Sequence, residues 1–278
     1  MTVSRYTLEQ IAAEYRGSEI AILGNGPTMI YRNDQGGVVG KADFSQYPHP
    51  IWSINGGWHY HPNSRLGFMM DDLKGPALSE HPDPPWYLAL TQQATIPILT
   101  SKAYPEFPAQ VEFPLADVMR FFELAYFAES INYMIAFAVM IGVERIEFYG
   151  ADYLNSRPQE RASTEFWAGV AHGLWLARRH WRAAKKKGSR KEIAAVERLF
   201  ALMPEGRENV GCQIVVSPQS EMMKARYDEP YYMPGFYGYN RDSFPLPYQE
   251  QGGPSNVNVM LTTPYSGHWW KPAEEKAA

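Results

Sequence analysis

Apolar and polar positions fall into blocks along this chain, and the period of the pattern changes from block to block. Residues 6–16 (YTLEQIAAEYR) place apolar side chains at helical spacing and predict a short amphipathic helix. Residues 19–23 follow, and their apolar run Ile20–Leu23 stops at Gly24-Asn25-Gly26-Pro27-Thr28. A run of that length predicts a strand buried on both faces of a parallel sheet. Asn33-Asp34-Gln35-Gly36-Gly37, within 32–47, reads as a loop. Residues 50–57 predict a second strand ending in a glycine turn, 67–72 a third ending in two acids, and 96–100 a fourth. Residues 115–142 carry small and apolar side chains at helical spacing and predict one helix stopped by Gly142. Arg145–Tyr149 predicts the next strand, closed by Gly150-Ala151-Asp152.

The second half begins with a helix predicted over 164–187, with Thr164 as its N-cap. Trp167, Val170, Ala171, Leu174, Ala177, Trp181 and Ala184 form its apolar stripe. Gly188-Ser189 interrupts it, a further helix runs to about Met203, and 211–218 predict the last strand. From Asp228 the chain turns rich in Tyr, Pro and Gly and neither period holds. Its aromatic content predicts an ordered wrap, since disordered tails are poor in aromatics, with a frayed end over 271–278. Strand–helix alternation of this kind predicts an α/β fold, a Rossmann-like, doubly wound, mainly parallel sheet. Residues 1–227 would form the nucleotide-binding catalytic domain, with a helical hairpin insertion at about 164–205. Residues 228–278 would form an irregular aromatic tail packed on it.

Composition narrows the classes. With 278 residues, 45% of them apolar, the chain can bury a sizeable core. A net charge of −4 supplies no global basic field for nucleic acid or membrane. Cys212 is the single cysteine, which rules out an intramolecular disulfide and is consistent with a reducing compartment. The opening MTVSRYTLEQ lacks the apolar core of a signal peptide, and the most apolar window, 133–142, is far short of the roughly 20 residues of a membrane helix. The expectation is a soluble, cytoplasmic protein with no membrane span.

Four strand ends carry polar residues: Asn25, Asn55, Asp71/Asp72 and Asp152. In an open parallel sheet such ends line one crevice. The strand, glycine turn and helix start at Gly24–Thr28 have the parts of a phosphate site. Neither a GxGxxG run nor a GK[ST] lysine is present, which argues against a dinucleotide fold or a P-loop. His172 and Asp152 are candidate general bases, an imidazole being mostly neutral near pH 7 and able to accept a hydroxyl proton. The competing reading puts His172 on the flank of a packed helix and Asp152 in a turn. Asp71 and Asp72 offer hard oxygen ligands for Mg²⁺ or form a plain solvent turn. His59 and His61 at i, i+2 can present two imidazoles on one strand face. Cys212, inside an apolar strand, reads as core. Arg178–Lys191 holds eight basic residues (178, 179, 182, 185, 186, 187, 190, 191), with Trp181 within it and Trp175 just before it as possible stacking surfaces. It reads either as a solvated face or as a grip on an acidic acceptor such as nucleic acid.

GNGPT after the first strand, Ser53-Ile54-Asn55 after the second, and the block from Ser130 to Asp152 (small-residue helix, Gly, strand, Gly-x-Asp) together resemble a known superfamily. They are similar to the glycosyltransferase family 42 sialyltransferases, and equally to the Maf-type flagellin glycosyltransferase domain and the archaeal 6-hydroxymethylpterin diphosphokinase. Ser217-Pro218-Gln219-Ser220 is similar to the family's closing turn, and the resemblance spans about 19–224. It implies that Gly24, Asn25, Gly26, Pro27 and Thr28 cradle donor phosphates, that Asn55 contacts donor or substrate, that Ser130 lies beside a phosphate, and that Ser217 and Ser220 help hold the nucleotide. The sialyltransferases carry an Arg just before the Ser of the helix block, where this chain has Glu129. Their catalytic His follows the Gly-x-Asp, where this chain offers only His172. The implied activity is a nucleotide-sugar-dependent glycosyltransferase acting by direct displacement on a hydroxyl acceptor, with the nucleotide sugar as cosubstrate and no tightly bound cofactor. A Mg²⁺-dependent diphosphokinase-like transferase and a non-catalytic nucleotide- or nucleic-acid-binding module are the alternatives.

Overall fold

The computed structural model describes residues 5–25, 30–32, 38–40, 47–61, 63–74, 84–151, 153, 158–200 and 211–216. Helix α1 (Leu8–Tyr15) opens with a capping box: Thr7 Oγ1 accepts from the Gln10 N–H, and Gln10 Oε1 accepts from the Thr7 N–H. Each bond satisfies a backbone donor that the helix start would otherwise leave bare. Strands β1 (Glu19–Leu23), β4 (Ile51–Ile54), β5 (Ser64–Met69), β6 (Ile98–Thr100), β7 (Gln110–Glu112), β8 (Arg145–Tyr149) and β9 (Gln213–Val216) form one sheet of order β7-β6-β5-β4-β1-β8-β9. Every pairing in it is parallel. Strands β2 (Ile30–Arg32) and β3 (Val38–Gly40) pair antiparallel beside it. The predicted α/β doubly wound architecture is the observed one.

The remaining helices are α2 (Gly57–Tyr60), α3 (Pro84–Gln92), α4 (Leu115–Phe122), α5 (Ser130–Ile141), α6 (Pro158–Lys187) and α7 (Arg190–Phe200). The main core packs α1, α5 and α6 against one sheet face, with Ile20, Ile22, Trp52, Phe68, Ile146, Phe148 and Ile214 below them. Trp52 is fully buried and packs against Phe68, Phe137 and Tyr15 at ring separations of 5.4, 6.0 and 5.2 Å. Burial of one such side chain is worth about 1.5–3 kcal/mol. A second cluster around Trp58, Met69, Ile98 and Phe107 adjoins α2 and α3.

Three boundaries depart from expectation, each for a local reason. The single helix predicted over 115–142 is two helices, because Glu123 turns left-handed at φ 53°. The segment between them inserts Phe127 flat against Tyr133 (4.5 Å) and Trp167 (5.0 Å). Helix α6 starts six residues before Thr164, with Pro158 in its first turn, where a missing N–H costs nothing. Thr164 is therefore an inward-facing helix residue and not an N-cap. His59 and His61 do not share a strand face: His59 is exposed on α2, and His61 is buried just past it, its pKa pushed down to about 4 by desolvation. The strand β7, the β2–β3 pair and helices α2 and α3 were not predicted. They are short, or lie in stretches whose turn residues read as loop.

Candidate functional site

From β1 the chain winds outward through β4, β5, β6 and β7, then returns to β8 on the other side of β1 and continues to β9. The winding reverses between β1 and β8, and ligands of open α/β sheets bind outside the strand carboxyl ends at such a point. The two main chains are pressed together there. The Gly24 N–H donates to Tyr149 O at 2.7 Å, and a Cβ built on Gly24 would lie 2.3 Å from Gly150 O. Only glycine fits at position 24.

One residue further, Asn25 leaves the end of β1. Strand register pairs Leu23 with Ser53, so Asn25 and Asn55 stand at the same height on adjacent strand ends. Asn55 is held left-handed at φ 49°, a conformation asparagine tolerates better than most residues. Its N–H donates to Phe68 O at 2.7 Å. Helix α2 begins against this pair: a Cβ on Gly57 would lie 3.1 Å from Ser53 Cβ and 3.2 Å from Asn25 Oδ1. Asn25 Oδ1, Ser53 Oγ and Asn55 Oδ1 are all buried, and none has a hydrogen-bond partner among the described residues. Each bare buried acceptor costs about 1–3 kcal/mol. Three of them stand at two neighbouring strand ends, where donor groups such as hydroxyls would satisfy them.

A carboxylate lies on the same edge. Helix α5 runs back toward the start of β8, so its N-terminus, with Ser130 half-buried at its first position, lies at the crevice edge of the sheet. Glu129 precedes Ser130. The Tyr153 hydroxyl, just past the end of β8, donates to Glu129 Oε1, as does Thr164 Oγ1 from α6, while Asn132 Nδ2 reaches the same oxygen at 3.3 Å. Asn132 is fully buried and ties the group together. It donates to Thr164 Oγ1 at 2.6 Å and accepts from Ser163 Oγ at 2.6 Å and from the Ala128 N–H at 2.9 Å. Burial raises the Glu129 pKa above the ordinary 4.5 despite the lowering pull of Thr164 and Tyr153, and the Glu160 charge adds to the rise. Burial also pushes the Tyr153 phenol well above its ordinary value, so it stays a donor. All three side-chain donors converge on one carboxylate oxygen, which orients the other.

The remaining expected site residues fall in different places. His172 is buried on α6, where its Nδ1 accepts from the Ile214 N–H at 3.3 Å. Ile214 is in the middle of β9 and its N–H points off the sheet edge, so the ring covers an edge donor. His172 is also eight residues past Thr164, roughly 12 Å down the helix from the crevice. Its lone pair is engaged, and burial lowers its pKa. Asp72 Oδ1 accepts from the Lys74 N–H at 3.0 Å and from the Tyr104 hydroxyl at 2.5 Å, and Asp71 is exposed beside it. Among the described residues no group of three His, Cys, Asp or Glu side chains stands close enough to hold a metal ion. Gly26, Pro27, Thr28, Asp152, Ser217 and Ser220 lie outside the described residues, as does the tail from 217 onward. Sequence reading missed Glu129, Tyr153, Ser53 and Asn132. Asn132 had a signal, being the single amide in an otherwise apolar stretch of α5 three residues after a glutamate.

No known protein family and no curated protein matches this chain. Among solved structures it is similar to the sialyltransferase CstII from Campylobacter jejuni in complex with a substrate analogue, cytidine-5'-monophosphate. Identity is 18%, coverage is 54% of this chain and 74% of that one, and the TM-score is 0.32. No helix among the described residues is long and apolar enough to cross a membrane.

Proposed function

We propose that this protein transfers a sugar from a nucleotide-activated donor to a hydroxyl acceptor. The observation that carries this reading is the set of three buried, unpartnered acceptors, Asn25 Oδ1, Ser53 Oγ and Asn55 Oδ1, at the ends of β1 and β4. These atoms ask for hydroxyl or amino donors, which sugars and nucleosides supply in abundance. On the sequence, the glycine turn that follows β1 would supply backbone N–H groups for the donor phosphates. Ser130 stands at the start of the neighbouring helix.

In the transfer, the acceptor oxygen forms a bond to the anomeric carbon. The bond from that carbon to the donor phosphate breaks, and the nucleotide leaves with the electron pair, stabilised by N–H groups at the cradle. The acceptor proton passes to a carboxylate at the crevice. Glu129 fits that role: burial lifts its pKa toward the working range of a general base, and the donors on Oε1 fix its orientation. Asp152, which follows β8 in the sequence, is the second candidate. Replacing each in turn separates them, since the true base loses the acidic limb of the rate profile when changed to its amide. His172, engaged by Ile214, serves the sheet edge in this reading.

The test is a thermal-shift series of nucleotides and nucleotide sugars on wild type and Asn25→Ala. A nucleotide sugar should raise the Tm of wild type and not of the variant. The reading fails if no nucleotide or nucleotide sugar shifts wild type, or if Asn25→Ala responds equally. Activity that survives EDTA separates this transferase from a Mg²⁺-dependent diphosphate transfer, for which Asp72, engaged by Lys74 and Tyr104, offers little.

A further inference from the structure

Asn132 stands where an apolar side chain would be expected. The other buried positions of α5 are Ile131, Met134, Ile135, Ala136, Phe137, Ala138, Val139 and Ile141. An amide fully buried among them costs free energy unless its polar atoms are satisfied. Asn132 Oδ1 accepts from the Ala128 N–H at 2.9 Å and from Ser163 Oγ at 2.6 Å. Its Nδ2 donates to Thr164 Oγ1 at 2.6 Å and to Glu129 Oε1 at 3.3 Å. These contacts use both lone pairs and both protons of the amide.

The pattern has a direction. A backbone N–H can only donate, so Ala128 fixes which end of the amide is the oxygen. The nitrogen then faces Thr164 and fills a lone pair of its hydroxyl. That hydroxyl has a single proton, which has no acceptor on Asn132 and goes to Glu129 Oε1. Each link, from Ala128 to Asn132, to Thr164, to Glu129, donates toward the carboxylate. Bonds aligned in this way polarise one another, and donors on a carboxylate favour its ionised form. Stability alone does not ask for the amide, since apolar groups of the same shape can replace a buried hydrogen-bonded set at little cost. The junction already stacks Phe127 on Trp167 at 5.0 Å. Among the described residues, the titratable groups that act on Glu129 are Tyr153, which donates to the same oxygen, and Glu160 of α6, whose charge opposes ionisation. Arg161, the cation on this part of α6, pairs with Glu165 at 2.7 Å.

We propose that Asn132 is a positioning residue for Glu129: it turns the Thr164 proton onto the carboxylate and so keeps the base ionised and aimed. The inference rests on the reading of Glu129 as the base that takes the acceptor proton.

A carbon-13 NMR titration of the ligand-free full chain, labelled at its glutamates and assigned through Glu129→Gln, tests it. Asn132→Leu should raise the Glu129 pKa by about one unit or more, and Thr164→Val should do the same. The double variant should barely exceed the larger single shift, because one residue acts through the other. Ser163→Ala removes a bond on the acceptor side of the amide, so it should lower the Tm and leave the Glu129 pKa in place. Asn132→Asp serves if the leucine variant does not fold. It keeps the acceptor that Ala128 needs and loses both donors, so the pKa should rise, and Thr164→Val should add little to that rise. In the transfer assay the acidic limb of kcat/KM should move up by the same amount. The proposal is overturned if the Glu129 pKa is unmoved in the Asn132 variants, if the Asn132 and Thr164 shifts simply add, or if kcat/KM falls only in step with the folded fraction. The titration needs no substrate. Its failure leaves the transferase reading standing with Glu129 held by other groups, whereas failure of the nucleotide-sugar screen leaves the pKa shifts and removes the reaction they serve.

Discussion

Gly24 and Asn25 carry opposite kinds of constraint. At Gly24 the limit is volume: a methyl group would meet Gly150 O at 2.3 Å, a backbone atom that cannot swing aside. Gly24→Ala should therefore destabilise the fold by about 2–3 kcal/mol, read from the denaturant midpoint, and lose donor binding as well. At Asn25 the limit is unmet hydrogen bonding. Removing a bare buried acceptor relieves a cost, so Asn25→Ala and Ser53→Ala should leave the ligand-free protein as stable as wild type or up to about 1 kcal/mol more so, while donor binding falls. A loss of more than about 1 kcal/mol in both would show that these atoms have structural partners. Glu129 is the third case. A carboxyl whose pKa is raised on folding holds its proton better in the native state, so its contribution to stability is present below the ordinary 4.5 and is lost as pH rises through the folded value. Activity should run the other way, rising with pH as the base ionises. Glu129→Gln should remove that acidic limb from kcat/KM and flatten the stability slope together; an unchanged limb would assign the base elsewhere.

At the scale of elements, α6 does two jobs. Its first turns bring Ser163 and Thr164 to the crevice network, and its middle seals the free edge of β9. The seal is tight: Gly211 sits at φ 88°, and a Cβ there would lie 2.2 Å from the Trp175 backbone nitrogen. The Cys212 N–H donates to Ala171 O, and the Ile214 N–H donates to His172. His172→Phe should leave Ile214 without its acceptor and cost about 1–3 kcal/mol, with activity per folded molecule kept. The pH sign is set by the lowered pKa of His172. Its contribution is complete above the ordinary 6.5 and is lost as pH falls through the depressed folded value, when the proton takes the lone pair that holds Ile214. Stability curves of wild type and His172→Phe should converge on acidification. Parallel curves, or a loss of kcat with stability intact, would return His172 to the chemistry. The sequence pattern placed β1 and β8 to the residue, because each is a short, largely apolar run closed by glycine, Gly24 after β1 and Gly150 after β8. It missed the break inside 115–142, because Glu123 has no local reason to turn left-handed; Phe127 reaching Trp167, forty residues away, supplies one.

Across the whole molecule, α6 joins the two ends of the sheet: Ser163 and Thr164 reach the crevice network at one, and Arg178 donates to Glu144, just before β8, at the other. The sequence by itself determined the alternation of strands and helices, the glycine turn at Gly24, the polar strand ends at Asn25 and Asn55, and the presence of a basic helix, because each is written in local period and turn chemistry. Only the tertiary structure decided which of these meet. It gathered Glu129, Asn132, Tyr153 and Thr164 from separate segments around one carboxylate oxygen, engaged His172 at a sheet edge, and set the start of the basic stretch, Arg178, roughly 21 Å along α6 from Thr164. A helix long enough to span the sheet separates residues that look close in the chain, while parallel strands bring together ends that lie far apart in it.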